Sequence, residues 1–111
     1  IKAMANIPGG GFPDNIPRVL PAGLGVVLDL SASPVPAVFG WLARSGNVVE
    51  AEMVRTFNCG IGMIAIAAAK NADAVLKAFQ QAGEKALVIG TVIRASGDER
   101  VVYDGQLDLN R

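Results

Sequence analysis

Hydrophobic residues follow a strand-like or helix-like spacing along most of the chain. Five apolar stretches predict strands, at residues 2–7, 24–30, 61–68, 87–93 and 101–103. The third and fourth stretches are apolar on both faces, as is typical of the central strands of a sheet. The fifth is expected to pair antiparallel with the fourth at an edge, after a turn at Ser96-Gly97-Asp98.

One helix is predicted from an apolar stripe at the spacing i, i+3, i+4 and i+7. The stripe consists of Val35, Val38, Phe39 and Leu42. Ser31 or Ser33 is expected to cap this helix, with Pro34 in its first position. Gly46 is expected to end it in the left-handed conformation. Trp41 is expected to cover a seam between this helix and the sheet.

A second, clearer stripe consists of Ala72, Val75, Leu76 and Phe79. Asn71 is expected to cap this helix and Gly83 to close it, and the stripe should pack on the sheet. Two shorter helices are predicted at residues 13–20 and 50–57. Asp14 or Asn15 would cap the first of these, whereas the second would turn Val49, Met53 and Phe57 inward.

The order of these elements is strand, helix, strand, helix, helix, strand, helix, strand, strand. It predicts an α/β (α+β) fold with a mixed β-sheet flanked by helices. With 111 residues, the chain is expected to form a single domain, residues 1–111. Because it opens on Ile1 without a methionine, we expect it to be a piece of something longer.

Composition narrows the classes of function. Ten basic and ten acidic side chains cancel without a run of either sign, which argues against nucleic acid or a membrane surface as a partner. No histidine is present, so a Ser-His-Asp triad and a histidine metal site within this chain are excluded. The single cysteine, Cys59, allows no internal disulfide, and it is interpreted as a buried small hydrophobe. This usage fits a reducing compartment, and we expect a cytoplasmic protein.

Three adjacent glycines, Gly9, Gly10 and Gly11, follow the first predicted strand and precede a helix. Backbone amides and a helix N-terminus in this arrangement attract an anion, so the phosphate of a ligand is the natural guest. A tight turn without a ligand explains the same glycines equally well. Neither a GxGxxG pattern nor a Gly-Lys-Ser/Thr sequence is present, so the run is neither a Rossmann nor a Walker motif.

A second candidate loop joins the helix at 50–57 to the following strand through Asn58, Gly60 and Gly62. Asn58 is a candidate left-handed C-cap, and the two glycines also suit close packing alone. Arg18 and Arg55 lie near the two glycine loops and are either phosphate contacts or surface residues. Asp29 ends a predicted strand, where a helix cap is favoured over a role in binding magnesium or a hydroxyl group.

Three segments carry a resemblance to a known family. They read AMANIPGGGFPDNIPRVLP, SPVPAVFGWL and EMVRTFNCGIGM, and the last is the most specific. Together they resemble the C-terminal domain of AIR synthetase, the phosphoribosylformylglycinamidine cyclo-ligase of purine biosynthesis. The resemblance extends from Ile1 to about Ile93. It implies an enzyme of two α/β domains that forms a homodimer mainly through an N-terminal domain absent from this sequence.

The implied reaction closes formylglycinamidine ribonucleotide to aminoimidazole ribonucleotide, using ATP and Mg²⁺. ATP would phosphorylate the formyl amide oxygen, which the amidine nitrogen then displaces. By resemblance, the substrate-binding residues are Gly9, Gly10, Gly11, Asn58, Gly60 and Gly62, with the ribose phosphate at the glycine run. No catalytic residue is assigned, no metal ligand is assigned in this chain, and the chain alone is expected to be inactive.

The chain departs from the family pattern Ala-His-Ile/Leu-Thr-Gly-Gly-Gly at two positions. Asn6 stands at the histidine position and Pro8 at the threonine position. This departure supports an alternative, a non-catalytic domain that binds a phosphorylated metabolite or a partner chain. Related enzymes of the same architecture, such as formylglycinamidine ribonucleotide synthetase and selenophosphate synthetase, are a further alternative.

Overall fold

The computed structural model describes residues 1–32, 34–95, 97 and 99–109. These residues form an α+β fold, as predicted. The strands are β1 (Ala3–Asn6), β2 (Leu24–Asp29), β3 (Met63–Ile66), β4 (Gly90–Arg94) and β5 (Val101–Asp104). The helices are α1 (Gly11–Asn15), α2 (Ala37–Ser45), α3 (Glu50–Thr56) and α4 (Ala72–Gln81), with 3-10 turns at Pro17–Val19 and Ala69–Asn71. None of the helices in these residues has the length and apolar character needed to cross a membrane.

The strands form two sheets rather than the single mixed sheet predicted. β2 lies between β4 and β5 in a three-stranded mixed sheet, antiparallel to β4 and parallel to β5. β1 and β3 form a separate antiparallel pair, in register from Ala3 opposite Ile66 to Asn6 opposite Met63. The central strand is therefore β2, and the apolar stretch 61–68 contributes a strand with a single neighbour.

The predicted antiparallel pairing of the last strand with residues 87–93 is wrong. After β4, the Ala95 N–H donates to the Gly23 carbonyl, and before β5 the Arg100 carbonyl accepts the Val26 N–H. The connection thus passes the start of β2, and β5 emerges on the other side of β2, running parallel to it. The predicted turn includes Ser96 and Asp98, which lie outside the described residues.

The main core joins the two sheets and α1. Its buried residues are Ala5, Ile7, Phe12, Ile16, Val26, Leu28, Leu30, Val54 and Val101. A second cluster lies between α2, α3 and the loop after α3, with buried residues Val35, Ala43, Met53 and Cys59. Val54 and Met53 are adjacent on α3, so this short helix faces both clusters.

Residues 87–93 do not form the buried strand predicted from their two-sided apolar pattern. The strand begins only at Gly90, and Leu87, Val88 and Val92 are 39%, 61% and 38% exposed. The physical reason is position, because β4 has a single neighbour in its sheet and therefore lies at an edge.

The stripe of α4 does not pack on a sheet, contrary to the prediction. No residue of α4 is buried, and its apolar side chains belong to neither core cluster of the described residues. Asn71 makes no side-chain capping hydrogen bond. Gly83 does close the helix as predicted, with a left-handed φ of 90°.

The helix predicted from Pro34 begins later, at Ala37, with Pro36 in the N-cap position. Instead of capping this helix, Ser31 donates hydrogen bonds from its N–H and its hydroxyl to the Asp29 carboxylate. Ser33 lies outside the described residues. Gly46 has a φ of −93°, so the left-handed C-cap prediction is wrong there.

The predicted apolar stripe of α2 faces the second cluster only through Val35 and Phe39. The buried residues of the helix are Gly40 and Ala43, whereas Val38 and Trp41 are 53% and 59% exposed. Trp41 therefore covers no seam. A Cβ at Gly40 would overlap the Leu109 carbonyl, which shows how closely the C-terminal segment lies on this face of α2.

Arg100 connects β5 to the segment before β2, a role that the sequence analysis missed. Its guanidinium donates to the carbonyls of Leu24, Pro17, Leu20 and Pro21, at 2.9, 3.4, 3.1 and 2.8 Å. No local pattern signals this residue, because its partners are about eighty positions earlier in the sequence.

Replacing Arg100 with methionine is expected to lower the free energy of unfolding by about 2 kcal/mol, because hydrogen bonds to a charged group contribute about 1.5–3 kcal/mol. Urea denaturation followed by circular dichroism measures this difference. Arg94→Met is the matched control, because Arg94 is exposed on β4 and its replacement should change stability by less than about 0.5 kcal/mol. Equal effects of the two variants would contradict the role given to Arg100.

Candidate functional site

The glycine run forms the connection between β1 and α1. α1 begins at Gly11, which donates its N–H to the Pro8 carbonyl at 3.2 Å. The prediction that Asp14 or Asn15 caps this helix is wrong, because both residues lie inside it. The buried Asn15 amide instead donates to the Gly11 carbonyl at 2.7 Å, and so holds the turn from within.

Gly10 and Gly11 are required by the local structure. Both have left-handed φ values, 95° and 61°, which side chains rarely adopt. A Cβ at Gly11 would overlap the Val54 carbonyl and lie 2.9 Å from the Phe57 carbonyl, so α1 lies directly against the backbone of α3. A Cβ at Gly10 would meet the side chain of Asp14. Close packing therefore explains these two glycines without a ligand.

The second candidate loop, residues 58–62, turns sharply after α3. The left-handed residues are Cys59 and Gly60, with φ values of 51° and 100°, so the prediction of a left-handed Asn58 is wrong. Asn58 instead accepts the Gly60 N–H with its side-chain oxygen at 2.9 Å. A Cβ at Gly60 would lie 2.6 Å from the ring of Pro36, and this crowding explains the glycine.

The two candidate loops lie side by side. The Asn58 amide donates to the Ile7 carbonyl at 3.3 Å, and the Ile7 N–H donates to the Gly62 carbonyl at 2.9 Å. The second of these hydrogen bonds continues the pairing of β1 with β3 beyond the strands, and the first joins the Asn58 side chain to the same residue, Ile7. Residues separated by about fifty positions in the sequence thus form one continuous surface.

Gly9 and Gly62 stand apart from the other glycines. Of the 13 glycines in the chain, all of which lie in the described residues, they alone combine a φ outside the left-handed region with open space at the Cβ position. Both are exposed, and the Gly62 carbonyl accepts the Ile7 N–H two residues before Gly9. The structure of the chain itself does not require glycine at these two positions, and the space beside their backbone is open.

A cleft of about 380 Å³ opens beside Gly9. It is lined by Ile7, Pro8, Gly9, Phe39, Thr56, Phe57 and Asn58. The volume falls in the range of small-molecule sites, about 300–1,000 Å³. Among the described residues, no ionisable side chain lines this cleft. Both phenylalanines belong to stripes predicted to face inward, and the position of Phe57 directly before Asn58 is the one local signal for its place at the cleft.

The other candidates lie away from the cleft lining. Arg18 is exposed in the 3-10 turn after α1. Arg55 is exposed on α3 and forms an ion pair with Glu52 at 3.7 Å. Asp29 accepts the N–H and the hydroxyl of Ser31 at 3.0 and 2.6 Å, so it caps a turn rather than a helix.

The described side chains include no cluster of three potential metal ligands. Asp29 and Asp104 lie opposite each other at the carboxyl ends of β2 and β5. No group of three or more potential ligands from histidine, cysteine, aspartate and glutamate occurs in the described residues. Asp104 also accepts the Gly105 N–H at 3.0 Å. Both carboxylates are thus engaged in turns, and neither is assigned as a magnesium ligand.

Cys59 is a buried, protonated thiol. It is 2% exposed, and burial, together with the negative charge of Glu50, raises its pKa to about 11. This environment is the opposite of the one that activates a nucleophilic cysteine. Burial also raises the pKa of Tyr103 to about 12, and its buried hydroxyl has no hydrogen-bond partner among the described residues.

The free energy of unfolding is expected to fall as the pH rises above about 9. The thiol and the phenol have ordinary pKa values of 9.0 and 10.0, whereas in the folded chain the pKa values of Cys59 and Tyr103 are about 11 and about 12. Between the ordinary and the raised pKa of each group, the unfolded chain loses a proton that the folded chain keeps, so alkaline pH favours unfolding. Urea denaturation between pH 7 and 10.5 measures this slope. The variant Cys59→Ala should flatten it, and an unchanged slope would contradict the raised thiol pKa.

A known protein family matches most of the chain. Residues 1–103 match the family described as AIR synthase related protein, C-terminal domain. The match includes both candidate loops, the residues of the cleft and all five strands up to Tyr103. The chain therefore belongs to the AIR synthase-related proteins, as a C-terminal domain of that family.

Proposed function

We propose that this chain is the substrate-binding part of a cyclo-ligase that converts formylglycinamidine ribonucleotide to aminoimidazole ribonucleotide with ATP. Members of the superfamily are typically ATP-using enzymes. The main observation in support of the proposal is the contact between the two loops. There the Asn58 side chain donates a hydrogen bond to the Ile7 carbonyl, and the space at the Cβ positions of Gly9 and Gly62 is open. This is the surface at which the substrate would meet the chain.

The ribose phosphate is proposed to bind at the glycine turn. The N–H groups of Gly9 and Gly10 make no hydrogen bond to other described residues. A phosphate oxygen can approach Gly9 closely because nothing lies within 4 Å of its Cβ position. Gly10, Gly11 and Gly60 would shape the site through the packing described above, and Asn58 would position the second loop. Asp14 lies next to Gly10 and opposes an anion, so the affinity of the chain alone should be weak.

Transfer of the phosphoryl group depends on residues outside this chain. Chemistry of this type relies on positioning and on stabilisation of charge around the phosphoryl group. Since the cleft has no ionisable lining residue among those described, this chain would bind and orient the substrate, while ATP and Mg²⁺ would be held by a second domain. The same second domain would form the interface of the homodimer. We place the enzyme in the cytoplasm.

Titration with ribose 5-phosphate is expected to shift the amide resonances of Gly9, Gly10 and Gly62 in a ¹H–¹⁵N NMR spectrum. Gly9→Val should weaken this binding at least about tenfold, since its side chain would occupy the open approach. Ala82→Val is the control, because Ala82 is exposed at the end of α4 and its φ of −80° accepts a side chain. Shifts confined to other regions, or equal affinity of the two variants, would contradict the phosphate site.

One observation favours a non-catalytic alternative. Asn6 and Pro8 replace the histidine and threonine of the family pattern, and Pro8 lines the cleft without an N–H to donate. A domain that binds a phosphorylated metabolite without turnover would tolerate these changes. Production of aminoimidazole ribonucleotide by the chain joined to an ATP-binding N-terminal domain distinguishes the ligase from this alternative.

A further inference from the structure

The cleft beside Gly9 has two chemically different parts. On the side of the glycine turn, it offers the Gly9 N–H, which makes no hydrogen bond to other described residues. On the other side, Phe39 and Phe57 form its wall, with ring centroids 5.9 Å apart and planes inclined by 60°. Both phenylalanines are only partly buried, so the rings pack against the second core cluster and still present surface to the cleft.

An anionic group would be poorly accommodated against this aromatic wall, because the faces of aromatic rings carry negative potential. Removing a charge from water is costly without an opposite charge, and the described lining provides none. Partly exposed aromatic rings instead favour stacking or edge contacts with another flat ring. The exposed ring of Pro8 extends this surface, which suits an uncharged, planar group.

Polar groups at the rim add a preference for a ring that carries hydrogen-bond acceptors. The Asn58 amide nitrogen donates one hydrogen to Ile7 and has a second hydrogen. The hydroxyl of the exposed Thr56 can donate or accept. Nitrogen heterocycles combine a flat apolar face with acceptors at the edge, as this lining requires.

We propose that the wall formed by Phe39 and Phe57 is a subsite for the uncharged nitrogen heterocycle of a ribonucleotide, whose phosphate lies at Gly9. This inference rests on the proposed function for the position of the phosphate. It adds a binding role for two aromatic side chains, and it assigns recognition of the ring to this domain.

The test uses the full chain and two separate probes. The first is 5-aminoimidazole-4-carboxamide riboside, which has the ring without a phosphate, and the second is ribose 5-phosphate, which has the phosphate without a ring. The riboside is expected to shift the aromatic resonances of Phe39 and Phe57. Phe57→Leu should weaken riboside binding at least about fivefold, because stacking on an aromatic side chain contributes about 1–3 kcal/mol per base.

Three further variants distinguish an effect of removing the aromatic ring from an effect of unfolding the chain. Phe57→Tyr keeps the ring and should retain riboside affinity, whereas Phe79→Leu removes a ring on α4 and should leave affinity unchanged. Thermal unfolding of each variant verifies that it is folded, and Phe39→Leu provides a second test if Phe57→Leu does not fold. Ribose 5-phosphate should bind Phe57→Leu as it binds the original chain.

The outcomes distinguish the inference from the proposed function. If ribose 5-phosphate shifts Gly9 while the riboside leaves both phenylalanines unchanged, the ring subsite is wrong and the phosphate site stands. If the riboside binds at the two rings and ribose 5-phosphate does not bind, the ring subsite stands and the phosphate site is wrong. Equal riboside affinity of folded Phe57→Leu and Phe79→Leu overturns the inference.

Discussion

Replacing Gly11 with alanine is expected to lower the free energy of unfolding by about 3 kcal/mol or more. Two effects add. The left-handed φ of 61° disfavours any side chain by about 1–2 kcal/mol, and overpacking typically costs about 1–3 kcal/mol. The added methyl group would overlap the Val54 carbonyl, which belongs to helix backbone and cannot move aside alone. α1 would have to move away from α3.

Gly9→Ala is the matched control for Gly11→Ala, two positions away in the same turn. Its Cβ would have nothing within 4 Å, and its φ lies outside the left-handed region. We therefore expect a change in stability of less than about 0.5 kcal/mol. Urea denaturation of both variants measures the difference. A Gly11→Ala variant as stable as Gly9→Ala would show that contact between α1 and α3 does not require glycine.

Replacing Met53 with alanine is expected to destabilise the chain by about 2–5 kcal/mol, the usual range for truncating a fully buried methionine. Met53 is 0% exposed on α3 and belongs to the cluster that supports Cys59 and the partly buried Phe57. The resulting cavity would lie directly beneath the second candidate loop. The variant should therefore weaken ligand binding at the cleft as well as stability.

Met63→Ala provides the comparison, because the same side chain is 54% exposed at the start of β3. Its truncation should change the free energy of unfolding by less than about 1 kcal/mol. Thermal denaturation, followed by calorimetry, gives both values. Similar losses in the two variants would contradict the burial of Met53 in the second cluster.

The two glycine loops of the candidate site were predictable from the sequence, whereas the role of each glycine was not. The sequence pointed to both glycine loops, and the structure brings them together through Asn58 and Ile7. The sequence did not indicate which glycines are required by packing. A side chain at Gly11 would overlap the backbone of α3, and one at Gly60 would overlap the ring of Pro36, and both neighbours are distant in the sequence. The distinction between these glycines and the open Gly9 depends entirely on three-dimensional neighbours.

Local chemistry in the sequence by itself determined the α+β class, the positions of β2 and α3, the closure of α4 by Gly83 and the buried state of Cys59. Hydrophobic periodicity and glycine conformation act within a few residues, so these features follow from the sequence. Only the tertiary structure decided that β2 is the central strand, that β5 runs parallel to it and that residues 87–93 lie at an edge. Strand order depends on contacts between distant residues, such as the hydrogen bonds from Arg100 to the carbonyls of Leu24 and Leu20. The pattern of an apolar stretch is the same whether or not another layer of the fold covers it.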